Sequence, residues 1–239
     1  FNHIVDEKID IQMSRTSRRP LPQGKVSRNQ ALIWGLFLGI LGIGLLLVYV
    51  NLLTAVLTFF SLIGYAVFYT MYLKRATPQN IVIGGAAGAA PPVLGWTSVA
   101  GIQGIEFALL LFLIVFIWTP PHFWALAIHR HEEYKKAGVP MLPVTHGLQF
   151  TRVQILLYTV LLFIVTLLPY LTGMSGAIYL VSAVILGMLF LGYAVKIYRE
   201  PENPKIAFKT FKYSVNYLMV LFVSLLVDHY LLITFGAIS

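Results

Sequence analysis

The chain has 239 residues, 58% of them apolar and 14% aromatic but only 11% charged, with a mean hydropathy of +0.80. That composition excludes a water-soluble domain, and the lack of any Cys excludes disulfides, thiolate catalysis and Cys-ligated metals together. The formal net charge of +8 carries no nucleic-acid reading, because nothing in the sequence resembles a nucleic-acid module.

The chain starts at Phe1 without a signal-peptide pattern, and we expect it to be N-terminally incomplete. Its first stretch carries Asn2, Asp6 and Asp10, spaced four apart. On a helix that spacing makes one stripe of oxygen donors. Two carboxylates and an amide oxygen suit Mg²⁺ shared with a phosphorylated substrate, and the Arg residues just downstream, Arg15 and Arg19 among them, would offset the remaining phosphate charge. A solvated helix end with ordinary i,i+4 charge pairs is the open alternative.

Apolar segments follow at Ala31 to Val50 and Leu52 to Leu73. One helix over both would be about 65 Å long, twice the hydrocarbon thickness, so a turn near Asn51 is required. The third segment, Ile81 to Val99, holds Gly84 and Gly88 at the spacing that lets helices approach closely, then Pro91-Pro92. Tight packing and ligand contact both explain those glycines. The fourth, Ile105 to Ile128, carries Trp118-Thr119-Pro120-Pro121-His122-Phe123-Trp124. The two proline pairs predict two helix breaks at similar depth and a cavity where protein or water meets the freed carbonyls. His122, inside a span, is a functional candidate as ligand, proton carrier or donor; satisfying a freed carbonyl is its plainer role. Tyr69, Tyr72, Trp118, Phe123 and Trp124 suit an apolar pocket or face a carbocation, or else form ordinary membrane packing.

The loop after the fourth segment holds His129, His131, Glu132, Glu133 and Tyr134. On the same membrane face as Asp6 and Asp10, Glu132 and Glu133 offer a second metal or phosphate contact; a purely solvated role is the alternative. Three more segments, Val153 to Leu171, Ala177 to Val195 and Tyr213 to Ile233, bring the expectation to an all-α membrane bundle with seven transmembrane helices in this chain. All 17 Lys and Arg residues fall before the first segment or in alternate connections, which predicts a cytoplasmic face for those connections. No Asp, Glu, Lys or Arg lies near the centre of a span, which argues against a charge-relay carrier.

Four blocks carry a family resemblance: Asn2-x-x-x-Asp6-x-x-x-Asp10 running into Arg15-Thr16 and Arg19-Pro20-Leu21-Pro22; Tyr69-Thr70 with Leu73-Lys74-Arg75 and Thr77-Pro78-x-Asn80; Ile83 to Pro92; and Trp118 to Ala127 leading to Tyr134-x-x-Ala137-Gly138-Val139-Pro140-Met141-Leu142-Pro143. They resemble the UbiA-type intramembrane prenyltransferases, and within them the branch that farnesylates protoheme IX. The resemblance implies a single transmembrane prenyltransferase domain over residues 1–239, with nine helices in the complete protein and two upstream of Phe1. It implies transfer of the farnesyl group of farnesyl diphosphate to the 2-vinyl group of heme B, giving heme O, with Mg²⁺ as cofactor. Asn2, Asp6, Asp10, Arg15, Arg19, Lys74 and Arg75 would activate the diphosphate. Tyr69, Asn80, Trp118, His122, Phe123, Trp124, Glu133 and Tyr134 would line the substrates, with Glu132 and Glu133 as further metal ligands and His122 orienting the heme. The implied setting is a bacterial plasma membrane with the site facing the cytoplasm, and heme A synthase or a terminal oxidase assembly as partners.

Two departures leave the number of Mg²⁺ ions open. Lys8 stands where many members carry a further Asp, and Glu132 and Glu133 stand where the wider superfamily spaces aspartates. The rival readings are a quinone-pathway aromatic prenyltransferase, which would not need the Trp118 to Trp124 run, and a non-catalytic membrane carrier.

Overall fold

The computed structural model describes residues 2–12, 16–73 and 76–234, and every regular element among them is helical. Helix α1 (Asn2–Gln12) is short and polar, and the turn after it folds back: Thr16 Oγ1 donates to Asp10 O at 3.0 Å. Helix α2 (Arg28–Tyr49) starts at Ser27, which accepts from the Gln30 N–H while the Gln30 side chain accepts from the Ser27 N–H, so two of the donors that a helix start leaves orphaned are met. The turn required near Asn51 is present. Asn51 Oδ1 accepts from the Thr54 N–H at 2.8 Å to open α3 (Leu52–Ile63), and its Nδ2 donates to Thr97 O at 2.9 Å.

Helix α3 continues as a π-helical segment, Gly64–Leu73, a wider coil that is rare and concentrates at functional sites. The third apolar segment is two helices, α4 (Asn80–Gly88) and α5 (Pro91–Ala100), separated at Ala89-Ala90 because Pro91 and Pro92 have no N–H to continue the ladder. The fourth does not break. Helix α6 (Ile105–His129) continues unbroken through Pro120 and Pro121, contrary to the second break expected there. Thr119 Oγ1 bonds back to Val115 O at 2.8 Å, and both prolines are buried between neighbouring helices that hold the coil in place.

Two short helices, α7 (His131–Lys136) and α8 (Leu142–Thr145), cap the end of α6. Then come α9 (Gly147–Val165), α10 (Leu168–Leu171), α11 (Ala177–Arg199) and α12 (Pro204–Thr234). Among the described residues six stretches are long and apolar enough to cross a membrane; of the seven helices expected, the third is the broken α4–α5 pair, neither half of which is long enough to cross alone. The chain is a polytopic membrane helix bundle.

Helix α6 is its axis, packed against α4, α5, α9 and α12. In lipid the hydrophobic effect does not press helices together, so close packing and polar ties must. One buried cluster joins Trp124, Leu142, Ile155, Ala194 and Ile197; another joins Ile114, Leu162, Ala183, Phe190 and Tyr217. Between α11 and α12 the tie is polar: buried Asp228 accepts from the N–H groups of Gly176 and Ile178, capping α11 from a different helix.

Candidate active site

The four-residue spacing works as the sequence implies: Asn2, Asp6 and Asp10 line one cavity of about 430 Å³. Asp6 and Asp10 are each only 4% exposed. Arg19, brought back by the turn after α1, donates to Asp10 Oδ2 at 2.7 Å. Helix α1 is held from two sides. Arg28 Nε lies 3.3 Å from Glu7 Oε2, and the Thr70 hydroxyl lies 2.7 Å from Asn2 Oδ1 and 2.8 Å from Tyr65 O.

The cavity wall opposite α1 depends on small residues. A Cβ on Gly84 would fall 2.3 Å from the Tyr69 ring, and one on Gly85 would fall 3.0 Å from Thr119 Cγ2. Bare backbone at both positions lets α4 slide between the π-helical segment and α6. Tyr69, stacked on Tyr65 at 5.2 Å, then faces the cavity. Gly88 differs: nothing lies within 4 Å of where its Cβ would be, and it borders both this cavity and a second, apolar one of about 390 Å³. Of the two explanations for the glycines, packing holds at Gly84, and open space at Gly88. Val115 and Trp118 also border both cavities.

Other expected residues divide. Trp118, Phe123 and Tyr134 line the first cavity, with Thr16, Val139 and Met141 beside them. Trp124 does not: it is 1% exposed and packs edge-on against Tyr158 in the core. Asn80 is buried at the start of α4, away from the cavity lining. Glu133 lies 3.2 Å from Arg130 Nη1, while Glu132 is 72% exposed, 3.8 Å from His131; neither lines the cavity. His122 is buried between α6 and α12, its Nδ1 2.6 Å from Ser214 Oγ, so its partner is a hydroxyl and not a carbonyl freed by the prolines. Arg15, Lys74 and Arg75 lie outside the described residues.

The donor set suits Mg²⁺. Among the described residues no three His, Asp or Glu side chains are clustered to hold an ion by themselves. The cavity offers two carboxylates, one amide, one guanidinium and the imidazole of His3, and the two carboxylates would repel a diphosphate unless a cation lay between. Mg²⁺ keeps few protein ligands and completes its shell with water and phosphate oxygens, so an incomplete oxygen set is what a shared ion needs.

Residues 1–216 match the UbiA prenyltransferase family. The chain belongs to the UbiA family. Its members similar to this chain include a protein named protoheme IX farnesyltransferase from Ruthia magnifica subsp. Calyptogena magnifica, 75% identical over 98% of this chain and 78% of that protein. Another of the same name, from Alcanivorax borkumensis, is 60% identical over 98% of this chain and 77% of that protein. A solved UbiA-like structure, described as digeranylgeranylglyceryl phosphate synthase, superposes with a TM-score of 0.79 at 25% identity, covering 95% of this chain and 78% of that one. As a UbiA member the chain is a membrane prenyltransferase. Sequence reasoning assigned no role to Thr70 or Ser214. Thr70 stands inside the Tyr69-Thr70 block and could have been singled out, whereas Ser214 carries no local signal.

Proposed function

We propose that this enzyme farnesylates heme: it moves the farnesyl group of farnesyl diphosphate to the 2-vinyl group of heme B, and water adds to the resulting cation, releasing one proton to solvent, to give the hydroxyethylfarnesyl side chain of heme O. The observation that carries this is that one cavity is lined both by charged groups, Asp6, Asp10 and Arg19, and by aromatic and small apolar ones, Trp118, Phe123 and Gly88. High identity to proteins named protoheme IX farnesyltransferase supports the acceptor.

In this reading Asn2, Asp6 and Asp10 hold Mg²⁺, which when bound supplies charge compensation for the leaving diphosphate. Arg19 adds a guanidinium to the same oxygens, and Arg15, Lys74 and Arg75 are proposed to extend that positive field. The allylic C–O bond breaks with its electrons on the diphosphate, and the vinyl carbon of heme attacks the farnesyl carbon, so no Ser, Cys or Lys nucleophile is required. Tyr69, Trp118 and Phe123 present aromatic faces to the allylic cation and exclude water until carbon–carbon bond formation. His122, stacked on the cavity-lining Trp118, would help to orient the heme. Glu132 and Glu133 stay in the proposal as outer phosphate or metal contacts, reachable only if α7 shifts. By the distribution of Lys and Arg, α1 and its acidic residues face the cytoplasmic side of a bacterial plasma membrane.

The test incubates membranes carrying the protein with Mg²⁺, farnesyl diphosphate and either heme B or 4-hydroxybenzoate, and reads products by mass. Farnesylated heme is expected. Farnesylation of the phenol alone would replace this reading with a quinone-pathway one.

A further inference from the structure

We propose that Gly88 sets the length of the prenyl chain this enzyme accepts: the room left by its missing side chain joins the cavity of Asp6 and Asp10 to the second, apolar cavity, where the far end of the donor's chain lies. This deepens the functional reading above and rests on it for the donor. A glycine inside a membrane helix is ordinarily accounted for by a close neighbour or by a positive φ. Gly88 has neither: nothing lies within 4 Å of where its Cβ would be, and it is not among the glycines with positive φ. Four residues earlier on the same helix, a Cβ on Gly84 would meet the Tyr69 ring at 2.3 Å, so packing accounts for that glycine and not for this one. A side chain at Gly88 would enter open space, and Gly88 lines both cavities. Val115 and Trp118 of α6 are the other residues common to the two linings, so the three together mark where the chambers meet.

The chemistry of the second chamber selects its occupant. Pro91, Pro92, Val215, Leu218, Met219 and Phe222 complete its lining, so among the described residues no charged group and no hydroxyl faces it. The indole N–H of Trp118 is already engaged, donating to Ser214 O at 2.8 Å. A porphyrin placed there would bring two propionates to a wall with no partner for either. An isoprenoid chain has no polar atom to satisfy, and Met219 and Phe222 offer it an adaptable apolar bed. Asp6, Asp10 and Arg19 line the first cavity and not the second. A donor whose diphosphate lies with those three groups therefore runs its chain past Gly88, and each added isoprene unit goes deeper into the second chamber.

The test measures kcat/KM for geranyl, farnesyl and geranylgeranyl diphosphate in wild type, Gly88→Ala, Gly88→Leu and Met219→Trp, with KM for the acceptor and unfolding in detergent alongside. Because Gly88 faces open space, Gly88→Leu should unfold as wild type does and keep the wild-type rate with geranyl diphosphate. It should lose about 10–100-fold in kcat/KM with the two longer donors, the scale on which an apolar pocket discriminates by size. Gly88→Ala should fall between. Met219→Trp narrows the second chamber from α12, outside the lining of the first, and should show the same selectivity; it decides if Gly88→Leu fails to accumulate. In parallel, farnesyl diphosphate carrying a diazirine on its terminal isoprene should label residues 215–222 of α12 in wild type and not in Gly88→Leu. Equal losses with all three donors, an unchanged donor preference in both bulky variants, a raised KM for heme B in place of the donor effect, or label confined to the first cavity would each overturn the proposal. Transfer to a phenol instead of heme would sink the functional reading alone, because the donor ratio and the label are read with either acceptor.

Discussion

Asp6 and Asp10 sit four residues apart on one helix face and reach the same cavity, each almost wholly withdrawn from solvent. Replacing either by Ala should lower turnover by about 10²-fold or more, the scale of losing one electrostatic contact to a developing anion. Membrane insertion should be unaffected, because only the contact to the diphosphate's cation is lost. Steady-state rates at saturating farnesyl diphosphate, with membrane extraction as control, check this; unchanged rates in both variants would contradict the assignment. This part of the site was legible because i,i+4 spacing on a helix is local geometry. Glu132 and Glu133 were read from proximity in the loop, yet their cavity access depends on how α7 caps α6, which no local spacing encodes. The bond between His122 and Ser214 joins residues 92 apart in the chain, and only helix packing brings them together.

Helix by helix, backbone without side chains decides which walls meet. Gly84→Ala would place a methyl group 2.3 Å from the Tyr69 ring, so either the ring or α4 must move. We expect a stability loss of about 1–3 kcal/mol, typical of overpacking, with weakened farnesyl diphosphate binding as Tyr69 leaves the wall. Unfolding in mixed detergent and KM together check it. Asp228 is a purely structural counterpart. Asp228→Ala strips the acceptor from two N–H groups at the start of α11 and should cost about 1–3 kcal/mol by the same unfolding measurement while leaving both KM values alone. The prolines explain why breaks were only half predictable: Pro91-Pro92 follow a run of Gly and Ala that cannot support a strained coil, whereas Pro120-Pro121 are embedded among buried neighbours that can.

Across the whole molecule, segment lengths gave the bundle nearly intact, since apolar length against bilayer thickness is a one-dimensional property. The cavity is different, because it is what remains when α1, the π-helical segment, α4 and α6 are packed together. The side of the membrane it faces is open to a simple check, since the chain has no Cys of its own. A single Cys introduced at Gln103 should react with an impermeant maleimide from outside intact spheroplasts, and one at Lys136 only in inverted vesicles; the reverse pattern would turn the active site outward. The π-helical stretch also has a mechanical meaning. Its extra backbone atom count per turn sets the angle at which Tyr69 and Thr70 leave the axis, much as a shim sets a gear. Deleting Ala66 would let the coil tighten to ordinary pitch, swing both side chains off the face that meets Asn2 and Gly84, and leave the chamber with one side missing. Silent membranes from that deletion, still folded by circular dichroism, would be the signature.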